Sequence, residues 1–418
     1  MKIAPGTPLD ISLRWDEDDI QPVGRLAYRD QIAYLEYDEV FLRSGLEISP
    51  VHYKTSAGLK QPYDPRVFEG LHGVFHDSLP DGWGKLLVDR RARQLSIEPA
   101  TLTPLDRLAC VGSHGIGALC YTPSVNVWDV ADNVADKVLN LDQLSEDARR
   151  VLEGDVGEVI SILGQAGGSP GGARPKALIG LNNEDHAVHG SDSIPDGFEA
   201  YLVKFPGHGD PVDIAAIEMA YAMMAKDAGV DMPETKLLSG DNGKMYFAAK
   251  RFDRVGNRRV HVHSASGLLY TDIRIPQLDY RDLILLTRSV TRDQRECKAM
   301  FVLAVFNVLT HNRDDHARQF SYTMSRDGTW RLAPAYDLTW CAGPGGEHST
   351  SVLGHGKDVT RAQLLELGKK AELKAQDAKE IIERVEAAVS HWQVYAGEYG
   401  VGRDSTDMIT KSLAEVSL

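Results

Sequence analysis

The first part of the chain alternates between apolar and polar residues in short runs that glycine, proline and aspartate interrupt. The run VGRLAYRDQIAYLEYD at 23–38 is typical of β-strands joined by a turn. The stretch DGWGKLLVDRRARQL at 81–95 has helical spacing instead. The pattern therefore predicts an α+β subdomain over residues 1–125.

The next segment, residues 126–165, is acidic and helix-forming, and its apolar periodicity is modest. Such a segment is typical of a helical connector between compact units. We interpret it as one.

Strand-like runs return from residue 166. The runs ARPKALIGL and EAYLVKFP flank a polar turn, which predicts an antiparallel hairpin, and Asp213 is the predicted N-cap of the helix that follows. The turn Asp241–Gly243 predicts a further β pair, so residues 166–260 form a second α+β unit. From 261 to 418 the pattern is mainly helical and includes the strongly apolar CKAMFVLAVFNVLTHN and a C-terminal pair of helices rich in Ala, Leu, Glu and Lys.

Length and charge narrow the class of protein. A chain of 418 residues exceeds one hydrophobic core, so two or three domains are expected. The 60 acidic and 46 basic side chains give a formal net charge of −14, which disfavours direct binding to DNA or to an anionic membrane. No apolar run approaches the roughly 20 residues of a membrane span, so we expect a cytoplasmic protein. The cysteines stand singly and are expected to be buried thiols: Cys110, Cys120, Cys297 and Cys341.

The glycine-rich segment at 167–172 precedes a strand that contains Lys176. Glycine amides can approach phosphate oxygens without obstruction by a Cβ atom, and a nearby ammonium can neutralise them. The segment matches neither a Walker loop nor the GxGxxG pattern, so a flexible turn is the alternative interpretation.

A lysine and a glutamate form the second candidate pair. Lys204 lies in the apolar run YLVKFP, and Glu218 lies in the helix predicted next. Protein kinases hold nucleotide phosphates with a strand lysine paired to a helix glutamate. The alternative is an edge-strand lysine at the surface with an exposed glutamate.

The strongest local signal is the cluster of aspartates, histidines and arginines in HNRDDHARQFSY at 311–322, directly after a strongly apolar predicted helix. Charged groups at the end of a buried helix indicate chemistry rather than a solvated loop. One hypothesis makes His311 and His316 metal ligands with Asp314 or Asp315. The other makes one aspartate a catalytic base and a downstream polar residue a magnesium ligand, as in a kinase catalytic loop.

Asp337 follows the strand-like stretch WRLAPAY. It could hold magnesium as the second aspartate of a kinase does, or it could cap a helix. The order along the chain favours the first role, because glycine loop, strand lysine, helix glutamate, aspartate loop and second aspartate follow one another as in protein kinases.

The chain resembles the HipA-type serine/threonine kinases, which are the toxins of bacterial toxin–antitoxin pairs, over most of its length. Short motifs carry the resemblance. They are VGRL at 23–26, SLPDGWGKLL at 78–87, VGSHGIGAL at 111–119, SPGGARPKALI at 169–179, YLVKFP at 201–206, AKRFDR at 249–254, NRDDHARQFS at 312–321 and LAPAYDL at 332–338. The resemblance implies an α+β, bilobal, protein-kinase-like fold. Residues 1–125 would be an extra N-terminal subdomain, 166–260 the N-lobe with the glycine-rich loop, and 261–418 the mainly helical C-lobe.

The resemblance also implies roles for single residues. Asp314, two residues before His316, falls at the position of the catalytic base, and Ser169 falls at that of the autophosphorylated serine. Gln319 and Asp337 fall at the magnesium ligands. The implied ATP contacts, in which Lys250 to Phe252 form the hinge beside adenine, are Gly171, Gly172, Ala173, Arg174, Lys176, Lys204, Glu218, Lys250, Arg251, Phe252, His316, Arg318, Gln319 and Asp337.

Two residues depart from the family pattern: Gln319 stands where the family has asparagine, and Pro170 follows Ser169. The resemblance implies an ATP- and magnesium-dependent protein serine/threonine kinase that acts as a toxin. Its partner would be a DNA-binding antitoxin of the HipB type, through which alone it would contact DNA. The departures motivate a second hypothesis, an inactive nucleotide-binding homologue that serves as scaffold or co-repressor. A small-molecule kinase is the third.

Overall fold

The computed structural model describes residues 1–4, 6–128, 138–154, 163–164, 172–190 and 193–415. The chain forms two compact units. Unit 1 comprises Met1–Asp210, Leu238–His263 and Met324–Gly328, and unit 2 comprises Pro211–Leu237, Ser264–Thr323 and Thr329–Leu418. The division of the sequence into 1–125, 126–165, 166–260 and 261–418 stays a prediction.

Unit 1 begins with a four-stranded antiparallel sheet of order β3-β2-β1-β4. Leu9, Ile11 and Leu13 point to the buried face of the first strand, as the alternation of its sequence requires. The predicted α+β character is confirmed, and so is the helix at 81–95. The elements are β1 (Leu9–Arg14), β2 (Ile20–Arg29), β3 (Ile32–Tyr37), α1 (Glu39–Leu42), α2 (Gly73–His76), α3 (Gly82–Gln94), α4 (Pro104–Val111) and β4 (Leu119–Thr122).

A second sheet in unit 1 has the order β6-β5-β7-β9-β8. Its strands are β5 (Lys176–Leu181), β6 (Ala187–His189), β7 (Glu199–Lys204), β8 (Thr235–Ser239) and β9 (Met245–Lys250). The predicted antiparallel pairing of β5 with β7 is confirmed. The polar turn, however, joins β5 to the short strand β6, because the Asn182 side chain accepts from the backbone N–H groups of Glu184 and His186 and closes the chain there. The β pair around Asp241–Gly243 is confirmed.

The helix expected in the connector is present as α5 (Leu141–Glu153). It lies within unit 1 and packs on the second sheet, because Leu144, Ala148 and Val151 recur on one helical face and are buried in the core of that sheet. The Asp142 carboxylate accepts from the Tyr246 hydroxyl at 2.6 Å and from the Asn242 N–H at 3.0 Å. The helix is therefore fastened to strand β9 and its turn.

A buried charge cluster follows β9. The Asp253 carboxylate lies 2.8 Å from the Arg251 guanidinium and 2.6 Å from that of Arg254, and it accepts from the Gly117 N–H at 2.7 Å. Burial by itself would raise the pKa of Asp253, but the two arginines outweigh it and hold that pKa below its ordinary value. Arg254 also donates to the Gly115 and Gly117 carbonyls, each at 3.0 Å. The cluster thereby anchors residues 115–117, which precede β4.

Strand β12 (His261–Ser264) contains two buried histidines, His261 and His263. His261 Nε2 lies 3.0 Å from the Ile48 carbonyl, so this nitrogen donates. His263 Nδ1 lies 2.6 Å from the Asp77 carboxylate, and its Nε2 lies 3.0 Å from the Ser49 hydroxyl. Since Ser49 is only 2% exposed, this chain of hydrogen bonds ties segments together and is closed to a substrate.

Unit 2 is mainly helical, as predicted. Its helices are α6 (Ile214–Asp227), α7 (Ala265–Leu269), α8 (Tyr280–Thr291), α9 (Gln294–Thr310), α10 (Arg361–Lys370), α11 (Ala375–Ser390), α12 (Trp392–Tyr399) and α13 (Arg403–Ala414). The remaining strands of the chain are short: β10 (Arg254–Val255), β11 (Arg258–Arg259), β13 (Leu278–Asp279), β14 (Ser321–Met324), β15 (Trp330–Leu332) and β16 (Thr350–Ser351), with β13 parallel to β16. The apolar helix before His311 is α9, and all of its residues from Met300 to Thr310 are buried.

Two sequence predictions need correction in unit 2. Asp213 is the N-cap residue of α6, but its carboxylate does not cap that helix and instead accepts from the Gly402 N–H at 2.7 Å and the Ser405 hydroxyl at 3.0 Å. The C-terminal region, expected as a pair of helices, contains four, because Gly400 takes a left-handed conformation that ends α12.

Of the four free thiols, Cys120 and Cys297 are buried as expected, whereas Cys110 and Cys341 are only partly so. Within the described ranges no helix is long and apolar enough to cross a membrane.

Buried His261 predicts a loss of stability in mild acid. Burial lowers the pKa of His261 to about 4, whereas an unfolded histidine titrates near 6.5. As the pH falls from about 6.5 towards 4, the unfolded chain takes up a proton that folded His261 excludes, so the folded state loses stability. We expect a lower Tm at pH 5 than at pH 7 and a smaller difference in His261→Gln, measured by calorimetry. The exposed His208→Gln is the control, and an unchanged difference in His261→Gln would contradict this account.

Candidate active site

The loop that follows α9 is built around the buried carboxylate of Asp315. This side chain is fully buried, accepts from the Tyr280 hydroxyl at 2.7 Å and the Thr350 N–H at 3.1 Å, and lies 3.0 Å from His348 Nδ1. A buried charge is tolerated only when donors replace its lost water. These contacts therefore fix the loop in one position.

The network extends into the helices. Asn307 on α9 donates to the Tyr280 hydroxyl at 2.9 Å, and its own carbonyl accepts from the Asn312 amide at 3.0 Å. Burial raises the pKa of Tyr280 well above its ordinary value, and the charge of Asp315 raises it further. Tyr280 is therefore a permanent hydrogen-bond donor to Asp315. Sequence reasoning missed Tyr280, Asn307 and His348, because no local pattern marks residues so far apart along the chain.

Asp314, the neighbour of Asp315 in the chain, is exposed, whereas Asp315 is fully buried. The two carboxylates, equivalent in the sequence, are thus distinguished by their surroundings. Asp315 is committed to the protein interior, and Asp314 is the one that a solvent-borne group can reach.

Gln319 and Asp337 are brought together across 18 residues. Gln319 Nε2 donates to Asp337 Oδ2 at 3.0 Å. Asp337 has a left-handed backbone conformation with a φ of 58°, which is unusual for a residue other than glycine and is common at functional sites. Its neighbour Tyr336 holds the two segments together, because its hydroxyl donates to the Arg318 carbonyl at 2.6 Å and lies 2.7 Å from the Ser321 hydroxyl.

The two histidines of the loop have other partners. His311 Nδ1 lies 2.8 Å from the Ser412 hydroxyl, and the half-buried His316 accepts from the Arg318 N–H at 3.2 Å. Among the residues that the structure describes, no group of three or more histidine, cysteine, aspartate or glutamate side chains is arranged to hold a metal ion. The hypothesis of a histidine-ligated metal therefore has no support in these residues.

In unit 1 the candidate lysines are cross-strand neighbours. Lys176 on β5 stands directly opposite Lys204 on β7. Lys176 is buried, and the Lys204 ammonium lies 5.6 Å from the centre of the Phe247 ring. Both lysines therefore lie at the same end of the β5–β7 pair.

The end of the glycine-rich segment is held by the start of α3. Gly172 N–H donates to the Asp81 carboxylate at 2.8 Å, and its carbonyl accepts from the Trp83 N–H at 3.0 Å. A Cβ atom on Gly82 would lie 2.3 Å from the Gly172 carbonyl oxygen, so only glycine fits there. The motif SLPDGWGKLL thus has a structural role, because it holds Gly172 in place. Ser169 and Gly171 lie outside the described residues.

The other predicted nucleotide contacts are dispersed. Ala173 is exposed, and Arg174 pairs with Asp210 at 3.0 Å. Glu218 is buried on α6 of unit 2, whereas Lys204 belongs to unit 1, so their pairing stays a prediction. At the predicted hinge Lys250 pairs with Glu199, the Arg251 side chain is committed to Asp253, and Phe252 is half-buried.

Comparison with known proteins identifies the family. A model of the HipA N-terminal domain matches residues 18–122, and a model of the HipA-like C-terminal domain matches residues 168–392, more than half of the chain. The protein belongs to the HipA family.

One solved structure with a high TM-score supports the fold. The chain is similar to the HipA of the Shewanella oneidensis MR-1 toxin–antitoxin system, solved with HipB and its operator DNA, with a TM-score of 0.68 and 14% identity over 98% of this chain and 95% of that chain. It is also similar to the Helicobacter pylori proinflammatory kinase CtkA, with a TM-score of 0.34 and 15% identity over 60% of this chain and 94% of that chain. No curated protein matches the sequence. The expected HipA-like α+β fold is confirmed.

The different burial of the two aspartates predicts that replacing Asp315 destabilises the fold strongly and that replacing Asp314 hardly affects it. Asp315→Ala leaves three buried polar groups without their shared partner and should cost about 3–5 kcal/mol, the usual penalty for breaking a buried charged network. Asp314→Ala should leave Tm nearly unchanged because the side chain is exposed. Thermal unfolding of both variants tests this, and equal losses would show that the loop is not anchored through Asp315.

Proposed function

We propose that this protein is an ATP- and magnesium-dependent protein serine/threonine kinase that acts as the toxin of a toxin–antitoxin pair. The observation that carries the proposal is the loop geometry of unit 2. Asp315 anchors the loop from within, Asp314 is exposed on it, and Gln319 reaches Asp337 at 3.0 Å. Such a loop offers a base and a pair of metal ligands on one rigid support.

Asp314 is the proposed catalytic base. It would orient the hydroxyl of a serine or threonine substrate and accept its proton as the oxygen attacks the γ-phosphorus. Asp315 would be a positioning residue, since it is fully buried and cannot touch a substrate.

Gln319 and Asp337 would hold magnesium. Their side chains fit it, because Mg²⁺ takes oxygen ligands and is usually bound by one or two protein groups together with phosphates and water. The Gln319 amide now points its NH₂ group at Asp337, so it would turn over to present its oxygen. The metal would supply positive charge that neutralises the transferring phosphoryl group.

Lys176 and Lys204 would neutralise the nucleotide phosphates. Their cross-strand placement concentrates two positive charges at one end of the β5–β7 pair, directly after the glycine-rich segment. Ser169 in that segment is the proposed site of autophosphorylation, where an added charge of about −2 would repel the nucleotide.

The proposed partner is a HipB-type DNA-binding antitoxin. The solved HipA with this fold is in a complex with HipB and operator DNA. A formal net charge of −14 suits a protein that reaches DNA only through such a partner.

One observation favours a second function, an inactive scaffold or co-repressor. The two proposed metal ligands are hydrogen-bonded to each other, because the Gln319 amide donates to the Asp337 carboxylate. If that bond is kept in the presence of nucleotide, magnesium is excluded and transfer cannot occur.

Phosphate transfer from labelled ATP decides between the two functions. Wild-type protein should label itself or a lysate protein, and Asp314→Asn should lose transfer by a factor of about 100 or more while it binds ATP normally. The binding control is calorimetric titration with a non-hydrolysable analogue. Absence of transfer by the wild type would favour the scaffold, and an active Asp314→Asn would remove Asp314 from the role of base.

Gln319→Asn tests the metal ligands. This substitution introduces the asparagine found in the family. Because its side chain is shorter, the amide lies farther from the Asp337 carboxylate, so the hydrogen bond that competes with the metal ion should break. We expect tighter binding of Mn²⁺, measured by its electron paramagnetic resonance signal in the presence of the ATP analogue. Asp337→Asn should weaken the same signal. Unchanged Mn²⁺ affinity in both variants would contradict the assignment.

A further inference from the structure

The last helix, α13, contacts both segments that carry the candidate residues of unit 2. The Ser412 hydroxyl lies 2.8 Å from His311 Nδ1 and accepts from Trp340 Nε1 at 3.0 Å. His311 stands three residues before Asp314, and Trp340 stands three residues after Asp337. One hydroxyl therefore joins the two segments.

The other end of α13 is fastened near a third candidate residue. The Asp213 carboxylate accepts from the Gly402 N–H and the Ser405 hydroxyl, at the start of the helix. Asp213 immediately precedes α6, the helix that carries Glu218. A carboxylate at a helix N-terminus is stabilised by the backbone N–H groups there. The helix thus spans from the start of α6 to the loop of Asp314.

Polar contacts dominate the attachment of α13. Of its twelve residues only Ile409 is buried. A helix with so small an apolar face gains little from burial, so its docking depends largely on polar contacts, namely those of Asp213 and Ser412 and the hydrogen bond that Trp392 Nε1 donates to the Thr406 carbonyl at 3.3 Å.

We propose that α13 is a positioning element of the candidate active site, and that Ser412 holds the segments of Asp314 and Asp337 in their mutual arrangement. The inference rests on the proposed function for its catalytic meaning, although the positioning itself is a property of the fold.

The geometry at Ser412 is specific. An indole N–H can only donate, so the Ser412 oxygen accepts from Trp340 and its own proton is left for His311. Burial, reinforced by the charge of Arg313, lowers the pKa of His311 to about 4, so its ring is neutral at pH 7 and Nδ1 can accept. His311 has a left-handed backbone conformation with a φ of 52° at the turn out of α9. The hydroxyl holds the ring at the point where the chain changes direction.

Removal of the hydroxyl should loosen both segments. Ser412→Ala takes away the partner of His311 and of Trp340, whereas Ser412→Thr keeps it. Thr410→Ala is the matched control, since the Thr410 hydroxyl bonds only to the Thr406 carbonyl of the same helix. One net hydrogen bond corresponds to roughly a fivefold to tenfold change in an opening equilibrium.

Hydrogen–deuterium exchange of the full chain tests positioning without reference to activity. In Ser412→Ala we expect exchange about five- to tenfold faster in peptides that cover 311–319 and 337–341, with recovery in Ser412→Thr and no change in Thr410→Ala. Unchanged exchange in Ser412→Ala, or equal acceleration in Thr410→Ala, would overturn the proposal.

Phosphate-transfer kinetics then test its catalytic meaning. Ser412→Ala should lower kcat about tenfold with little change in the KM for ATP, because the base and metal segments move while the lysines of unit 1 do not. A general loss of folding would instead lower the active fraction and leave exchange fast everywhere. If wild-type protein transfers no phosphate, the proposed kinase function fails, and the exchange result still decides whether α13 positions the loop.

Discussion

The buried charge of Asp315 is the constraint on which the candidate site of unit 2 depends. A carboxylate taken out of water costs several kcal/mol unless donors surround it, so Tyr280 of α8, His348 and the Thr350 backbone must all converge on it. Once they do, the loop has one arrangement. Asp314 is exposed as a consequence, and the turn that follows carries Gln319 to within hydrogen-bonding distance of Asp337.

Unit 1 uses the same principle at Asp253. Two arginines neutralise this buried carboxylate, and one of them also binds the carbonyls of Gly115 and Gly117. The motifs VGSHGIGAL and AKRFDR, which look like separate signals in the sequence, are therefore two sides of one contact. Strand β9, which ends at Lys250, leads directly into this rigid cluster. Buried ionic groups of this kind favour one arrangement of the chain over its alternatives, at a cost in desolvation.

The two units carry different kinds of charged candidate group. Unit 1 has two lysine side chains opposite each other on neighbouring strands, and unit 2 has the exposed Asp314 carboxylate together with the hydrogen-bonded pair of Gln319 and Asp337. Phosphoryl transfer requires both kinds of group, since the phosphates carry negative charge and the substrate hydroxyl must lose a proton. In unit 2 the positions of the Asp314 and Asp337 segments depend on polar contacts of α13 rather than on apolar burial. A helix near the end of the chain therefore helps to position the candidate residues.

The local features of this protein could be predicted from its sequence. Alternation predicted the strands of the first sheet, and a strongly apolar run predicted α9. The order of the candidate residues favoured a kinase, and short motifs gave the resemblance to the HipA family, because each depends on residues close together or on their order along the chain. Only the tertiary structure decided which of two adjacent aspartates is buried, that Asp213 holds α13 rather than its own helix, and that α5 belongs to the core of a sheet. Each of these depends on partners dozens to nearly two hundred residues away, and the free energy of a buried polar group is set by such partners, which no local pattern encodes.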